Sequence, residues 1–500
     1  MDRRILVTTI STVLVMALRL VPYMYTETLF STDSWGLLRD SIVLTEHSPI
    51  DVRSGSLFDG YNNYWPGAIT ALSASKIVTG VPYVPGYLLV TLASTMCFII
   101  AFSYMRNRSL TPAGILLPGT VFSTLMMTAG FTKEGASYGF FGLLIYLVFA
   151  KEKSSNAVLV SILLLAGALV LYHHLTAVVL ASILIGFLVV ELSTFFTTPR
   201  ASSLPPAKFI VGLGVVTIGF AFHYYFLASF SPIRDLLDYW YVVKAVAWMV
   251  ALGIFLLGIG KSNGASVKYI TPALFLLGLL AYIALIREVG VGVDAGLVLV
   301  TIASIALIVS ASKGASNIQI TGWLIGVTAL VAVMVFENTA FFYSIIYRVL
   351  AFLLIAFTVR EATGSTARVL YALAVVASVV TFIATVSGVS TVLGWHWVYY
   401  PSQVTAGEFL AEKSSSEETV CTDVKYSYLL RGMYGISARE GFIGESCHWL
   451  ILDSYMFEKG ALISPGKSIV LNNLSDSLKE RGLVIYSSGG MSEKWVVSSS

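Results

Sequence analysis

The stretch 115–149, ILLPGTVFSTLMMTAGFTKEGASYGFFGLLIYLVF, decides how the chain is read. It is long enough to cross a bilayer twice, and only Lys133 and Glu134 break its apolar character. A span needs about 20 apolar residues to cross about 30 Å of hydrocarbon. Two adjacent charges between two such runs therefore mark a turn at a membrane surface, since charges inside hydrocarbon are costly.

The same reading extends in both directions. The 500 residues are 56% hydrophobic and only 12% charged, too little charge to cover a soluble surface of that size. Spans are predicted at 5–24, 84–105, 112–130, 135–150, 157–172, 175–193, 208–229, 240–260, 269–286, 295–311, 319–336, 343–359 and 369–388. The shorter run 66–82, with Lys76 in its middle, reads as a re-entrant or interfacial helix. The expected fold class is thus an α-helical polytopic membrane protein of about 13 transmembrane helices, with a small α/β domain after it.

Charge distribution sets the expected topology. Arg3, Arg4, Arg106, Arg108, Lys151, Lys153, Arg200, Lys208, Lys261, Lys268, Lys313, Arg360 and Arg368 fall in alternate loops, which the positive-inside rule places in the cytoplasm. The opposite loops hold mostly acids, among them Glu27, Asp33, Asp40, Asp235 and Glu337. The amino terminus is then cytoplasmic and the carboxyl tail outside, in the cell membrane's multi-pass class. The first span follows Met1-Asp2-Arg3-Arg4 without a small-residue cleavage site and reads as an anchor.

Two blocks are expected: 1–390 in the membrane, with a first outer loop at 25–65, and 391–500 of ordinary soluble composition. In the tail a short helix is predicted at 407–413. Strands are predicted at 418–423, 449–453, 468–471 and 483–486. Cys421 and Cys447 lie there, and an outside location permits a disulfide between them.

The titratable groups collect on one side. Asp33 lies just past the first span and offers a general base, or a ligand for a divalent cation beside a lipid phosphate. It also precedes a helical run, where Asp is a favoured N-cap. Arg39 and Trp35 follow it at helical spacing. Lys133 and Glu134 form a second charged element, readable equally as a solvated turn. His173 and His174 stand at a further turn, without metal-ligand spacing, and suit a phosphate or sugar hydroxyl or simple interfacial packing. Arg348, about one turn inside its span, must snorkel or meet an anion, and a guanidinium fits a lipid-linked phosphate. Arg19 in the first span is a second candidate of that kind. No P-loop, dinucleotide fingerprint, HExxH or GxSxG occurs, and no basic, aromatic-interleaved stretch points to nucleic acid.

At this point the chain resembles the GT-C glycosyltransferases, polytopic enzymes that use polyprenyl-phosphate-linked sugar donors. Asp33-Ser34-Trp35-Gly36-Leu37-Leu38-Arg39 is similar to the Asp-to-Arg element of oligosaccharyltransferase catalytic subunits. Tyr64-Trp65-Pro66-Gly67 resembles the Pro-Gly that ends their first loop, and Glu134 corresponds to their second acidic element. The chain departs from them in lacking a WWDYG motif and in having only a short loop at 287–294. Tyr172-His173-His174-Leu175-Thr176 resembles archaeal membrane proteins of the class.

The resemblance implies Asp33 and Glu134 as catalytic groups, and Arg39, Lys133, His173, His174, Arg348 and Arg19 as substrate-binding groups. The implied partners are a polyprenyl- or dolichyl-phosphate-linked sugar donor, a surface glycan or glycoprotein acceptor, and membrane lipids. A metal cofactor, Mg or Mn held by Asp33 and Glu134, is left open. The rival expectations are a lipid-linked sugar flippase or transporter, which would need charged or broken helices at the midplane, and a non-catalytic surface-assembly protein.

Overall fold

The computed structural model describes residues 3–47, 62–107, 110–149, 155–197, 207–227, 318–337, 348–349, 351–352, 355, 365–387, 397–415, 417–441, 447–453, 455–456, 460–464, 467–469, 483–487 and 494–498. The spans predicted at 240–260, 269–286 and 295–311 lie outside these residues.

The chain is mostly helical. Helices α1 (Arg3–Thr26), α2 (Asp33–Glu46), α3 (Gly67–Thr79), α4 (Tyr83–Asn107), α5 (Pro112–Thr120), α6 (Phe122–Ala129), α7 (Lys133–Phe149), α8 (Asn156–Tyr172), α9 (His174–Thr197) and α10 (Ala207–Phe222) follow in order. A π turn at His223–Leu227 extends α10, and α11 (Ile318–Glu337) and α12 (Ser365–Val386) come later. Among the described residues, four helices are long and apolar enough to cross a membrane, and a bent pair makes a fifth. Their buried hydroxyls bond back to the carbonyl one turn earlier, as Ser11 does to Val7 (2.8 Å) and Thr95 to Thr91 (2.8 Å). That satisfies polar groups where hydrocarbon offers no partner.

The bent pair corrects one expectation. Residues 112–130, read as a single span, are two helices meeting at 71°. Pro118 removes one ladder donor inside α5. Tyr371 from α12 does the rest: its hydroxyl donates to the Ala113 carbonyl and accepts from Leu117 N–H (2.9 Å), standing where Leu117 would bond Ala113. A side chain inserted into the ladder is a recognised cause of a sharp bend. Val121 then adopts an extended ψ of 129°, and α6 restarts with all eight residues buried.

The core beneath α7 is aromatic. Phe98 stacks on Tyr138 (5.3 Å between ring centres), Phe141 meets Phe352 edge-on (4.9 Å), and Trp323 Nε1 donates to the Phe352 carbonyl (2.9 Å). Helices α9 and α11 pack backbone against backbone. Gly322 and Gly326 face Ser182 and Gly186, and a Cβ on Gly326 would overlap the Ser182 carbonyl. Small residues four apart on both helices permit this. Gly326→Ala is therefore expected to cost roughly 1–3 kcal/mol by overpacking. A thermal unfolding curve in detergent that does not move would contradict that close crossing.

In the tail, α13 (Pro401–Lys413) and α14 (Val424–Leu429) flank a five-stranded sheet of order β2-β1-β3-β7-β6. Its strands are β1 (Val420–Thr422), β2 (Ala438–Glu440), β3 (Trp449–Asp453), β6 (Leu483–Ser487) and β7 (Lys494–Ser498). β1 runs parallel to both β2 and β3, while β3–β7 and β7–β6 are antiparallel. β4 (Ala461–Ser464) and β5 (Lys467–Ile469) pair separately. Cys421 on β1 is disulfide-bonded to Cys447, with Cα atoms 5.6 Å apart.

Candidate active site

Asp33 opens α2 and is exposed. It is not the N-cap considered from the sequence. Thr32 holds that position in right-handed helical backbone, without a side-chain cap, so Asp33 is already the first helical residue. A carboxylate in the first turn still favours the positive end of the helix dipole.

The neighbouring Ser34 ties Asp33 to the second charged element. Its buried hydroxyl bonds the Phe30 carbonyl (2.6 Å) and the Phe131 carbonyl (3.0 Å), and it accepts from Phe131 N–H (3.0 Å). Phe131 lies three residues before Glu134. Gly130 is needed in that turn, because a Cβ there would collide with the Phe30 carbonyl.

Glu134 is 2% exposed, so its charge requires partners. Tyr138, one turn on, donates to Oε1 (2.6 Å). Arg348 Nη1 donates to Oε2 (3.4 Å), forming an ion pair across 214 residues of sequence. The Arg348 side chain is 20% exposed. Asp33 lies within electrostatic reach of Glu134. Lys133, also buried, acts electrostatically on both histidines, as does Arg348. Asp33, Lys133, Glu134, His173, His174 and Arg348 thus form one neighbourhood of titratable groups.

The histidines divide the work. His173 interrupts the chain between α8 and α9 with extended backbone. Its Nδ1 accepts from Thr176 N–H (3.3 Å) and meets Thr176 Oγ1 (2.8 Å). Accepting at Nδ1 places the proton of the neutral ring on Nε2. Burial first, and then His174 and the cations Arg348 and Lys133, hold the His173 imidazole well below its ordinary value, which favours the neutral ring. The His174 ring lies tilted beside it (4.9 Å between ring centres) and meets the buried Trp65 edge-on (5.3 Å).

His223 was missed by sequence reasoning. It sits in the π turn after α10, its ring centre 5.5 Å from that of Trp65, with Nε2 buried and carrying no hydrogen bond. Its position inside the apolar run 208–229 gave no local signal to separate it from packing. The π turn, a device frequent at functional sites, is visible only in three dimensions.

Two expected groups stand elsewhere. Arg19 is fully buried: Nε donates to Thr128 Oγ1 (3.0 Å) and Nη1 to the Val15 carbonyl (2.6 Å), while Nη2 has no partner. It serves the packing of α1 on α6 rather than reaching up along its span. Arg39 is partly exposed and pairs loosely with Asp40 (3.9 Å). Asp40 itself is buried and accepts from Asn62, closing the 62–66 turn onto α2.

Tyr138 and Arg348 occupy both Glu134 oxygens, and among the described residues no three His, Cys, Asp or Glu side chains converge.

The comparisons follow this geometry. No family profile and no curated protein sequence matches the chain. In structure it is similar to the Archaeoglobus fulgidus oligosaccharyltransferase complexed with Zn and sulfate, at 11% identity and a TM-score of 0.48, over 90% of this chain and 68% of that one. It is similar also to AglB of the same organism, in complex with an inhibitory peptide and a dolichol-phosphate, at 11% identity and a TM-score of 0.47, over 90% and 69% of the two chains. ArnT from Cupriavidus metallidurans, bound to undecaprenyl phosphate, is similar at 10% identity and a TM-score of 0.42, over 98% of each chain. The structural neighbours are thus GT-C glycosyltransferases. With every TM-score below 0.5, the chemistry rests on the residues just described.

Proposed function

We propose that the protein is a membrane glycosyltransferase that moves one sugar from a dolichyl- or polyprenyl-phosphate donor to a surface glycan or glycoprotein acceptor. Residues 1–390 form its membrane domain of about 13 spans, with the amino terminus inside. Residues 391–500 lie outside the cell, beside the site.

The observation that carries this reading is the ion pair of the buried Glu134 with the partly exposed Arg348, beside the exposed Asp33. Chemistry on a lipid-linked sugar needs a base reachable from water and a fixed cation for the departing phosphate. Asp33 takes the proton of an acceptor hydroxyl. The hydroxyl oxygen attacks the anomeric carbon from the face opposite the lipid phosphate. The new C–O bond forms as the bond to the phosphate oxygen breaks, and the phosphate leaves with the electron pair. Arg348, with Lys133 and the His173 Nε2–H, stabilises that charge. Glu134, held by Tyr138, orients Arg348 rather than meeting the sugar.

Attack opposite the leaving group inverts the anomeric centre. The test supplies α- and β-linked polyprenyl-phosphate sugars to the protein in nanodiscs and assigns the product by NMR. Inverted, donor-dependent product is expected. Retained configuration would overturn the single-displacement scheme. No product, with the donor moved between leaflets, would turn the reading to transport.

A further inference from the structure

We propose that Tyr399 is a positioning residue for Asp33, and that through it the C-terminal segment belongs to the reaction site. This rests on Asp33 acting as the base. The residues leading to Asp33 do not hold their own shape. Glu27 and Ser31 both sit at positive φ, 54° and 88°, where residues with a side chain are uncommon. Something outside the loop must fix them.

The C-terminal segment supplies the contacts. Ser31 N–H donates to the Trp397 carbonyl (2.8 Å), and Thr28 Oγ1 to the Tyr399 carbonyl (3.1 Å). The Tyr399 ring meets Trp35 edge-on (5.2 Å). Its hydroxyl donates to the Lys425 carbonyl (2.9 Å) and is hydrogen-bonded to the side chain of Thr32, the residue before Asp33. Gly432 closes the contact from the tail, since a Cβ there would stand 2.7 Å from the Trp35 carbonyl carbon.

Behind Lys425 the tail holds a buried polar network. Its ammonium lies between the rings of Tyr399 (4.9 Å) and Tyr455 (5.1 Å). Asp423 caps α14 by accepting from Tyr426 N–H (2.9 Å) and is also bonded by Tyr455. Asp453 accepts from Gln403 (3.1 Å) and Tyr426 (2.9 Å). All of these side chains are buried. A phenylalanine would fill the place of Tyr399, so the hydroxyl is there for what it joins: the start of α2 to this network. Ser34 grips the other side of Asp33 through Phe131. Asp33 is held between the helix that carries Glu134 and the tail.

The experiment uses the full chain with Tyr399→Phe, which keeps the ring contacts, and Thr32→Val, which removes the other hydroxyl. Each is expected to lower kcat about ten-fold while donor KM stays within about two-fold, because a small misplacement of a base is felt in the transition state. The double variant is expected to be no slower than the slower single. Amide exchange across 28–36 is expected to quicken about ten-fold in both, with β3 unchanged. An unchanged kcat, or a raised KM at constant kcat, overturns the proposal, the second by making the tail a binding surface. If Asp33→Asn lowers transfer by about 10²-fold or more while Tyr399→Phe leaves kcat unchanged, this inference fails alone. If Asp33→Asn keeps transfer, the base assignment fails instead. Unaltered exchange in the loop removes the mechanical link, whatever the activity.

Discussion

Asp33→Asn is expected to lower sugar transfer by roughly 10²–10⁴-fold, the range a positioned general base supplies. Asparagine keeps the size of the side chain and still accepts hydrogen bonds, but it cannot take the acceptor proton. The residue is exposed, so stability is expected to move by no more than about 0.5 kcal/mol. Donor affinity is expected to hold, since the proposed scheme assigns the phosphate to Arg348 and Lys133. Single-turnover transfer, donor binding and an unfolding curve, run on the same preparation, separate these effects. Wild-type turnover in the variant would remove Asp33 from the chemistry.

The second large effect is expected at the ion pair. Arg348→Met leaves the Glu134 carboxylate buried, with Tyr138 as its remaining hydrogen-bond donor in the pair's place. Breaking such a pair from one side costs about 3–5 kcal/mol, because the orphaned charge keeps its desolvation penalty. Glu134→Gln in the same chain removes that charge, and the double variant is expected to recover most of the loss. The coupling is the signature of the pair, and a cycle of the two singles and the double measures it. Transfer is expected to fall about 10²–10³-fold in the single and stay low in the double, since the phosphate has lost its cation either way. Additive stability effects would mean that the two side chains do not depend on each other.

The helical layout was legible in the sequence wherever hydrophobic length alone decides, as in α1, α4, α9 and α10. It was not legible at Val121. There the bend depends on a tyrosine hydroxyl 254 residues away from the amide it intercepts, and no window along the chain contains both. The tail shows the same limit. Its strands are three to five residues long, and β2 and β7 exist only through pairing with β1 and β3. The predicted strand at 449–453 coincides with β3, whose buried apolar run has a local signature.

At the site, Glu134 drew notice because a charge in an apolar run demands a reason, and Arg348 for the same cause. That the two touch could not be read from either neighbourhood. His223, beside Phe222 and Tyr224, looked like any aromatic-rich packing segment. Asp33 as N-cap was a sound local reading, displaced when Ser31 and Trp397 turned the preceding backbone so that Thr32 entered the helix first.

The bond between Thr28 and Tyr399 joins residues 371 apart in sequence. Read as a schedule of synthesis, it means that the loop bearing Asp33 is made early and completed late. Its spans can insert one after another as they are translated, but Ser31 waits for Trp397, and the loop spends the interval without the partners that fix it. Closing so long a separation adds little entropy beyond a shorter one, so the delay is one of order rather than of cost. Thr28 and Ser31 therefore meet their partners, the Tyr399 and Trp397 carbonyls, only after about four fifths of the chain has been translated.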